Sequence, residues 1–440
     1  RITPAVLRRL ADLCNYCALC PCPDIREDII TAKTLFIDRD GLAPCIRTLE
    51  DVERVGKLCG AAPRLSNFLL QAQITGPLIK KAAGINTKRK LPVFPPESFA
   101  AWARKRKLSH KPRANPRRKV AYFAGCTAQY LFPDVGMAAV DVLERNRIAV
   151  YVPEQHCCGM PSMLEGDRAL TLRFAERTVS LLAGLVDDGY DVVCSCPTCG
   201  YMLKNALAEF AYYSQAYQDF AGGDERNMII PNKAPGPTAQ TGQCGMPAPY
   251  QATFGGHHMG SKTVETARTS DGATRKVELR VLDKSIYGKI LKDDGYFSRI
   301  DPLQRIKVAE NTHDLGEYLQ GLYRRGELDT RLGPHPGRKV YYPPCHLREQ
   351  EIGQPYLELL ALVPDLAMEA IQSTAYCCGI AGIMGFKRDF HKASIQMGSR
   401  LMAKIKRIDP DQLVTDCLSC RLQFNQMSAY PVQHPIETLS

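Results

Sequence analysis

From residue 119 onward, short apolar runs alternate with longer amphipathic ones. KVAYFAGC predicts a strand ending at Cys126, and PDVGMAAVDVLERN carries its apolar residues at helical spacing. AVYVPE predicts a second strand that leads to the CCG at 157–159. DRALTLRFAERTVSLLAGLVDD predicts a long helix, and DVVCSC a third strand running into Cys196-Pro197-Thr198-Cys199. Strands alternating with helices predict an α/β fold with a parallel sheet. Ligands of such sheets sit outside the carboxyl ends of the strands, and the clustered cysteines fall there.

The pattern then recurs. KVYYPPC brings Cys345, PYLELLALV predicts a helix and DLAMEAI a strand; CCG returns at 377–379. A long helix is expected over 389–407, and QLVTDC leads into Cys417-Leu418-Ser419-Cys420. The copies are offset by 219 residues at the first cysteine, 220 at CCG and 221 at CxxC. A duplication that holds register through five cysteines is a repeat of one structural unit. The endings echo as well, THDLGEYL at 312–319 and QHPIETL at 433–439. The copies differ in one place: roughly 218–305 is an insertion in the first, rich in Gly, Pro and Thr in its first half. A segment of that size is too long for a simple connection.

Upstream, residues 1–62 hold six cysteines among short helical stretches. Residues 63–118 are amphipathic and then strongly basic. The stretch RKRKLSHKPRANPRRK (104–119) is nearly free of apolar residues and reads as a linker or exposed arm. The expected units are therefore 1–62, 63–118, 119–320 with its insertion, and 335–440.

Composition excludes several classes. The 440 residues are 45% hydrophobic and 23% charged, as in ordinary globular proteins. No run of 18 apolar residues predicts a membrane-spanning helix. Eighteen cysteines is a high count, and they group as CxxC, CCG and CxC instead of spreading out for cross-linking. Neighbours such as Cys157 and Cys158 pair poorly with each other but can both face one metal centre. The formal charge of +11 counts every cysteine as neutral. Ligating thiolates remove part of that excess, so no nucleic-acid partner is inferred.

Each repeat offers five thiols from three loop ends: Cys126, Cys157, Cys158, Cys196 and Cys199, then Cys345, Cys377, Cys378, Cys417 and Cys420. Soft thiolates in that number suit iron–sulfur chemistry, whereas a closed zinc site takes four ligands. The glycine after each CC pair permits a sharp turn and a close backbone approach.

On these motifs the two copies resemble the cysteine-rich CCG domain pair of the B and D subunits of heterodisulfide reductase. The same pair occurs in the C subunit of anaerobic glycerol-3-phosphate dehydrogenase and in the iron–sulfur subunit of glycolate oxidase. LPVFPPESFAAWARKRK also resembles the segment before the first CCG domain in the glycerol-3-phosphate dehydrogenase subunit. The resemblance implies tandem CCG-type α/β domains with parallel sheets, preceded by a small helical ferredoxin-like domain. It also implies a noncubane 4Fe-4S cluster on each five-cysteine set. The N-terminal segment is similar to the family's helical ferredoxin domain, which has two CxxCxxCxxxCP motifs, but departs from it. Cys14, Cys17 and Cys20 keep the spacing, Cys22-Pro23 arrives two residues early, and the second motif is reduced to Cys45 and Cys59. Cys14, Cys17, Cys20 and Cys59 are the expected ligands of one cubane. Cys22 and Cys45 are additional candidates.

Other residues carry weaker expectations. Cys194 reads as a small buried side chain. Cys244 with His257 and His258 is a candidate metal or substrate site within the insertion, against the plainer reading of an exposed loop. His156 and His346 flank cluster cysteines, where a hydrogen bond to cluster sulfur, a proton shuttle or a structural role are all open. His313 and His434 end the two repeats at matched packing positions. No catalytic residue is assigned.

The expected function is an iron–sulfur electron-transfer subunit of a membrane-associated oxidoreductase complex, passing electrons between a flavin dehydrogenase partner and a quinone or other acceptor. No GxGxxG opens a helix after a strand, so the flavin is expected on the partner chain. The alternative is a catalytic disulfide reductase in which each CCG centre takes one thiolate. A non-redox scaffold leaves ten cysteines in register unexplained. The expected location is cytoplasmic and peripheral on the inner face of the inner membrane, through the basic arm and the amphipathic NFLLQAQITGPLIKKAAGI.

Overall fold

The computed structural model describes residues 2–14, 16, 25–112, 116, 118–231, 258–266, 275–371 and 376–440. The N-terminal part is helical: α1 (Pro4–Asp12), α2 (Ile25–Asp40), α3 (Pro44–Glu50), α4 (Val52–Ala61), α5 (Pro63–Gln71) and α6 (Thr75–Ala82). Prolines open α1, α3 and α5, where the missing N–H costs nothing.

After α7 (Phe99–Lys105) the first repeat begins with β1 (Lys119–Phe123), α8 (Gly125–Tyr130), α9 (Pro133–Arg145) and β2 (Ala149–Tyr151). Next come α10 (Met160–Glu165), α11 (Arg168–Asp187), β3 (Asp191–Cys194) and α12 (Pro197–Tyr201). The chain then leaves the sheet. β4 (Asn227–Pro231), β5 (His258–Thr266) and β6 (Arg275–Asp283) form a separate antiparallel sheet ordered β4-β6-β5. Met228, Ile230 and Leu282 pack there with Tyr213 and Tyr287. The insertion thus has a small core of its own. It returns as β7 (Thr312–Asp314), which completes a parallel sheet ordered β2-β1-β3-β7.

The second repeat supplies β8 (Gly337–Tyr341), β9 (Leu366–Ala370), β10 (Gln412–Val414) and β11 (Val432–Gln433). They form a parallel sheet ordered β9-β8-β10-β11, strand for strand the order of the first. The echoed endings prove to be the last strand of each sheet. The long helix expected at 389–407 runs from His391 to Ile408.

The two repeats share one core. Tyr122, Val140 and Leu143 of the first pack in one cluster with Tyr341, Val414 and Ile436 of the second. Burying such side chains contributes about 1.5–3 kcal/mol each, so the interface is fixed by the same force as each sheet. The equivalent tyrosines Tyr122 and Tyr341 bond to the residues just before CxxC, Ser195 at 2.8 Å and Asp416 at 2.9 Å.

The segment read as a linker or exposed arm keeps an exposed surface at 104–107, 110 and 111, and a few residues anchor it. Phe99, Ala103 and Leu108 enter the core of the first repeat, and Phe99 stacks with Trp102 at 5.6 Å. Arg106 pairs with Asp141 and Glu144, Lys111 with Asp188, and Arg118 with Glu327. A few well-spaced apolar residues and local acidic partners suffice to dock a stretch whose average composition is basic.

Candidate metal centres

The first site forms where three loops leave the carboxyl ends of β1, β2 and β3. Cys126 lies in α8, Cys157 and Cys158 follow β2, and Cys196 and Cys199 straddle the start of α12. Cys126 and Cys157 bring their sulfurs to 3.8 Å. Donation from Cys157 and Cys199 holds Cys158 well below the ordinary thiol range; Cys157 is raised first by its bond to Cys126 and then by that to Cys158, and Cys199 by its bonds to Cys158 and Cys196. Gly125 makes this convergence possible. Its φ is +70°, and a Cβ there would stand 2.7 Å from the Cys199 sulfur.

The second site repeats the arrangement after β8, β9 and β10. Cys378 and Cys420 approach to 3.1 Å. The Gly379 N–H donates to the Cys377 sulfur at 3.3 Å, and the Cys420 N–H to Cys417 at 3.5 Å. Donation from Cys377 and Cys420 brings the Cys378 thiol down to about 6. Gly379 turns at φ +87°, and a Cβ there would lie 2.2 Å from the Ser394 carbonyl. At this glycine the tight neighbour is the helix behind the loop.

The two sites abut. Cys196 is held low by bonds from Cys199 first and then from Cys417, and Cys417 is raised by donating to it. The Thr198 hydroxyl lies 3.7 Å from the Cys417 sulfur. Among the described residues no three His, Cys, Asp or Glu side chains are arranged to hold a single metal ion. Each site instead draws its thiols from three loop ends, the kind of thiol donor set that holds iron–sulfur clusters. Several thiolates this close repel one another unless bound metal neutralises them, so the donor set fits such a cluster.

The N-terminal region reaches both sites. Tyr16, buried between Cys14 and Cys17 in sequence, accepts through its carbonyl from His346 Nε2 at 3.2 Å. His346 Nδ1 lies 3.0 Å from the Thr198 hydroxyl, and its ring stacks on Tyr201 at 5.2 Å. Burial lowers the His346 pKa, so the ring is neutral. Nε2–H donates to the carbonyl, and Nδ1 accepts from Thr198. From α4, the Glu53 carboxylate accepts from the Cys157 N–H at 3.1 Å, from His156 Nδ1 at 3.1 Å and from Lys57 at 2.6 Å. Both histidines therefore bond to the N-terminal region.

The remaining candidates divide. Cys194 ends β3 as a buried side chain and donates its thiol to the His313 carbonyl at 3.5 Å. His434 donates to the Ser195 carbonyl at 2.8 Å and accepts from the Ile436 N–H at 3.1 Å. His313 packs beside Tyr318. Cys59 bonds to Ser66, and the Cys45 sulfur lies against Gly84. Cys17, Cys20, Cys22, Cys244 and His257 lie outside the described residues, and His258 opens β5. Tyr16, Glu53 and Thr198 carried no signal in the sequence. Tyr16 and Thr198, each inside a CxxC, stood next to one.

Residues 120–204 and 339–425 match the profile of the cysteine-rich domain, CCG. Both repeats are therefore cysteine-rich domains of the CCG family. The chain is 22% identical over 365 residues to the C subunit of anaerobic glycerol-3-phosphate dehydrogenase of Escherichia coli K12, covering 82% of this chain and 68% of that protein. It is 23% identical over 311 residues to the B subunit of fumarate reductase (CoM/CoB) of Methanothermobacter marburgensis, covering 70% and 42%. A 96-residue stretch is 30% identical to an iron–sulfur protein of Methanococcus maripaludis, 22% of this chain and 19% of that one. These likenesses support an iron–sulfur role in electron transfer within an oxidoreductase.

Proposed function

We propose that the chain is the iron–sulfur subunit of a membrane-associated oxidoreductase complex, passing electrons between a flavin dehydrogenase partner and a quinone or another acceptor. The observation that carries this reading is the bonding of His346. It follows Cys345 of the second site, and it bonds to Tyr16 of the N-terminal segment and to Thr198 of the first site. One side chain thus ties together three cysteine groups, a connection that a relay needs. When bound, the clusters supply one-electron chemistry. The protein's own part is to hold ten thiols on two rigid sheets, exclude water and join the sites. On this reading the ten CCG-domain cysteines hold two noncubane clusters, and Cys14, Cys17, Cys20 and Cys59 a cubane.

Cys196 and Cys417 meet as buried side chains. That burial joins the two centres through protein, not through solvent, which favours a relay over the alternative reading, disulfide cleavage with each centre taking one thiolate.

The surface supports a peripheral membrane position, which this reading puts on the cytoplasmic face. No helix among the described residues is long and apolar enough to cross a membrane. Phe68 on α5, with Ile74 and Leu78 at and in α6, are 70%, 77% and 62% exposed, beside Lys80 and Lys81. An apolar face rimmed by lysines suits an anionic lipid surface.

Iron and sulfide analysis with EPR on the anaerobically purified protein tests the reading. At least three centres are expected. A single centre, or zinc in both CCG sites, refutes it.

A further inference from the structure

We infer that Arg89 is the fixed counter-charge of the second cysteine site and makes that centre the easier of the two to reduce. The inference rests on the reading that both five-cysteine sets hold clusters.

Arg89 follows α6 and is 0% exposed. Its Nη1 donates to Gln423 Oε1 at 2.6 Å and its Nη2 to the Leu422 carbonyl at 3.3 Å. The guanidinium lies over the Phe386 ring, 4.2 Å from the centroid. Among the described residues its Nε has no hydrogen-bond partner and no carboxylate pairs with it. The buried cations Arg305 and Lys387, in contrast, have Asp293 and Glu165. A buried charge without an opposite charge is strongly disfavoured, so this arginine calls for an anion.

Its surroundings name the anion. Gln423 lies one turn beyond Cys420. Its amide donates to Ser394 Oγ, which donates to the carbonyl of Gly379, the residue after Cys378. The guanidinium and the second site therefore share one hydrogen-bonded frame. Desolvation pulls the Arg89 pKa down to about 10, and the Cys378 thiolate opposes that fall. A cluster held by five thiolates is a larger and permanent anion at the same place.

The first site differs. The position equivalent to Gln423, at the 221-residue offset of the CxxC pairs, is Met202, buried and apolar. The nearby cation Lys204 is already paired with Glu317 at 2.6 Å. Net charge and hydrogen bonding set the potential of a cluster. An electron delivered to the second centre adds negative charge beside a desolvated guanidinium, which stabilises it. The cluster that gives up the electron is oxidised in turn. Electrons entering the pair collect at the second site.

Redox-monitored EPR of the anaerobically purified chain tests this with Arg89→Met, Arg89→Lys and Gln423→Glu. Arg89→Met is expected to lower the midpoint of one CCG centre by at least about 59 mV, a tenfold change for a one-electron couple, and to leave the other in place. Arg89→Lys keeps most of the wild-type value, whereas Gln423→Glu lowers it by neutralising the arginine in place. Both midpoints unmoved in an iron-replete Arg89→Met protein, or both lowered equally, overturn the inference. If Arg89→Met does not retain its cluster, an unmoved midpoint in Gln423→Glu overturns it. Absence of the clusters from the wild-type protein overturns the functional reading instead.

Discussion

Glu50 ends α3, where the N-terminal helices pack on α10 directly behind the first CCG loop. It is fully buried, and neither carboxyl oxygen has a hydrogen-bond partner among the described residues. Desolvation, then the neighbouring Asp167 and Glu165, push its pKa from 4.5 up to about 9, with Arg47 as the opposing charge. Folding therefore takes up a proton between those two values. The stability is fully present below about 4.5 and is lost as pH rises toward 9. At about 1.4 kcal/mol per pKa unit the full shift is worth about 6 kcal/mol, and relaxation of the surroundings around the ionised carboxylate reduces this to roughly 3 kcal/mol. Glu50→Gln keeps the shape and removes the titration. Anaerobic urea unfolding at pH 5, 7 and 9 measures the effect, since the difference between variant and wild type cancels the other groups. The variant is expected to match the wild type at pH 5 and to exceed it by about 3 kcal/mol at pH 9. Parallel pH profiles for the two proteins would refute a buried, proton-bearing Glu50.

Lys387→Met strands Glu165, its buried partner at 2.6 Å, and is expected to cost about 3–5 kcal/mol in unfolding experiments. Adding Glu165→Met should restore most of that loss, and no recovery would show that the pair does not couple the repeats. Gly379→Ala meets the Ser394 carbonyl at a left-handed φ and should cost about 2 kcal/mol or more, with iron lost from the second site first. Full iron and unchanged stability would rule out that tight approach. Phe68→Ser with Ile74→Ser should abolish sedimentation with anionic vesicles while leaving the thermal midpoint in place, because both side chains are exposed. Undiminished binding would move the membrane surface elsewhere.

The duplication and the succession of strands and helices in each copy were legible in the sequence. Apolar period, Gly and Pro punctuation and the register of ten cysteines are local properties, written in consecutive residues. The same residues brought those cysteines to strand ends, because the carboxyl ends of parallel strands form a common rim. Within 104–119, residues 104–107, 110 and 111 are exposed, as composition suggests, but Leu108 is a buried anchor that an average over the stretch hides. How the copies face one another, with Cys417 against Cys196, was settled by packing in three dimensions. Packing alone joined His346 to Tyr16 across 330 positions and Arg89 to Gln423 across 334. Such contacts depend on how finished elements meet, where shape and burial select one partner among many, and no local period records that selection.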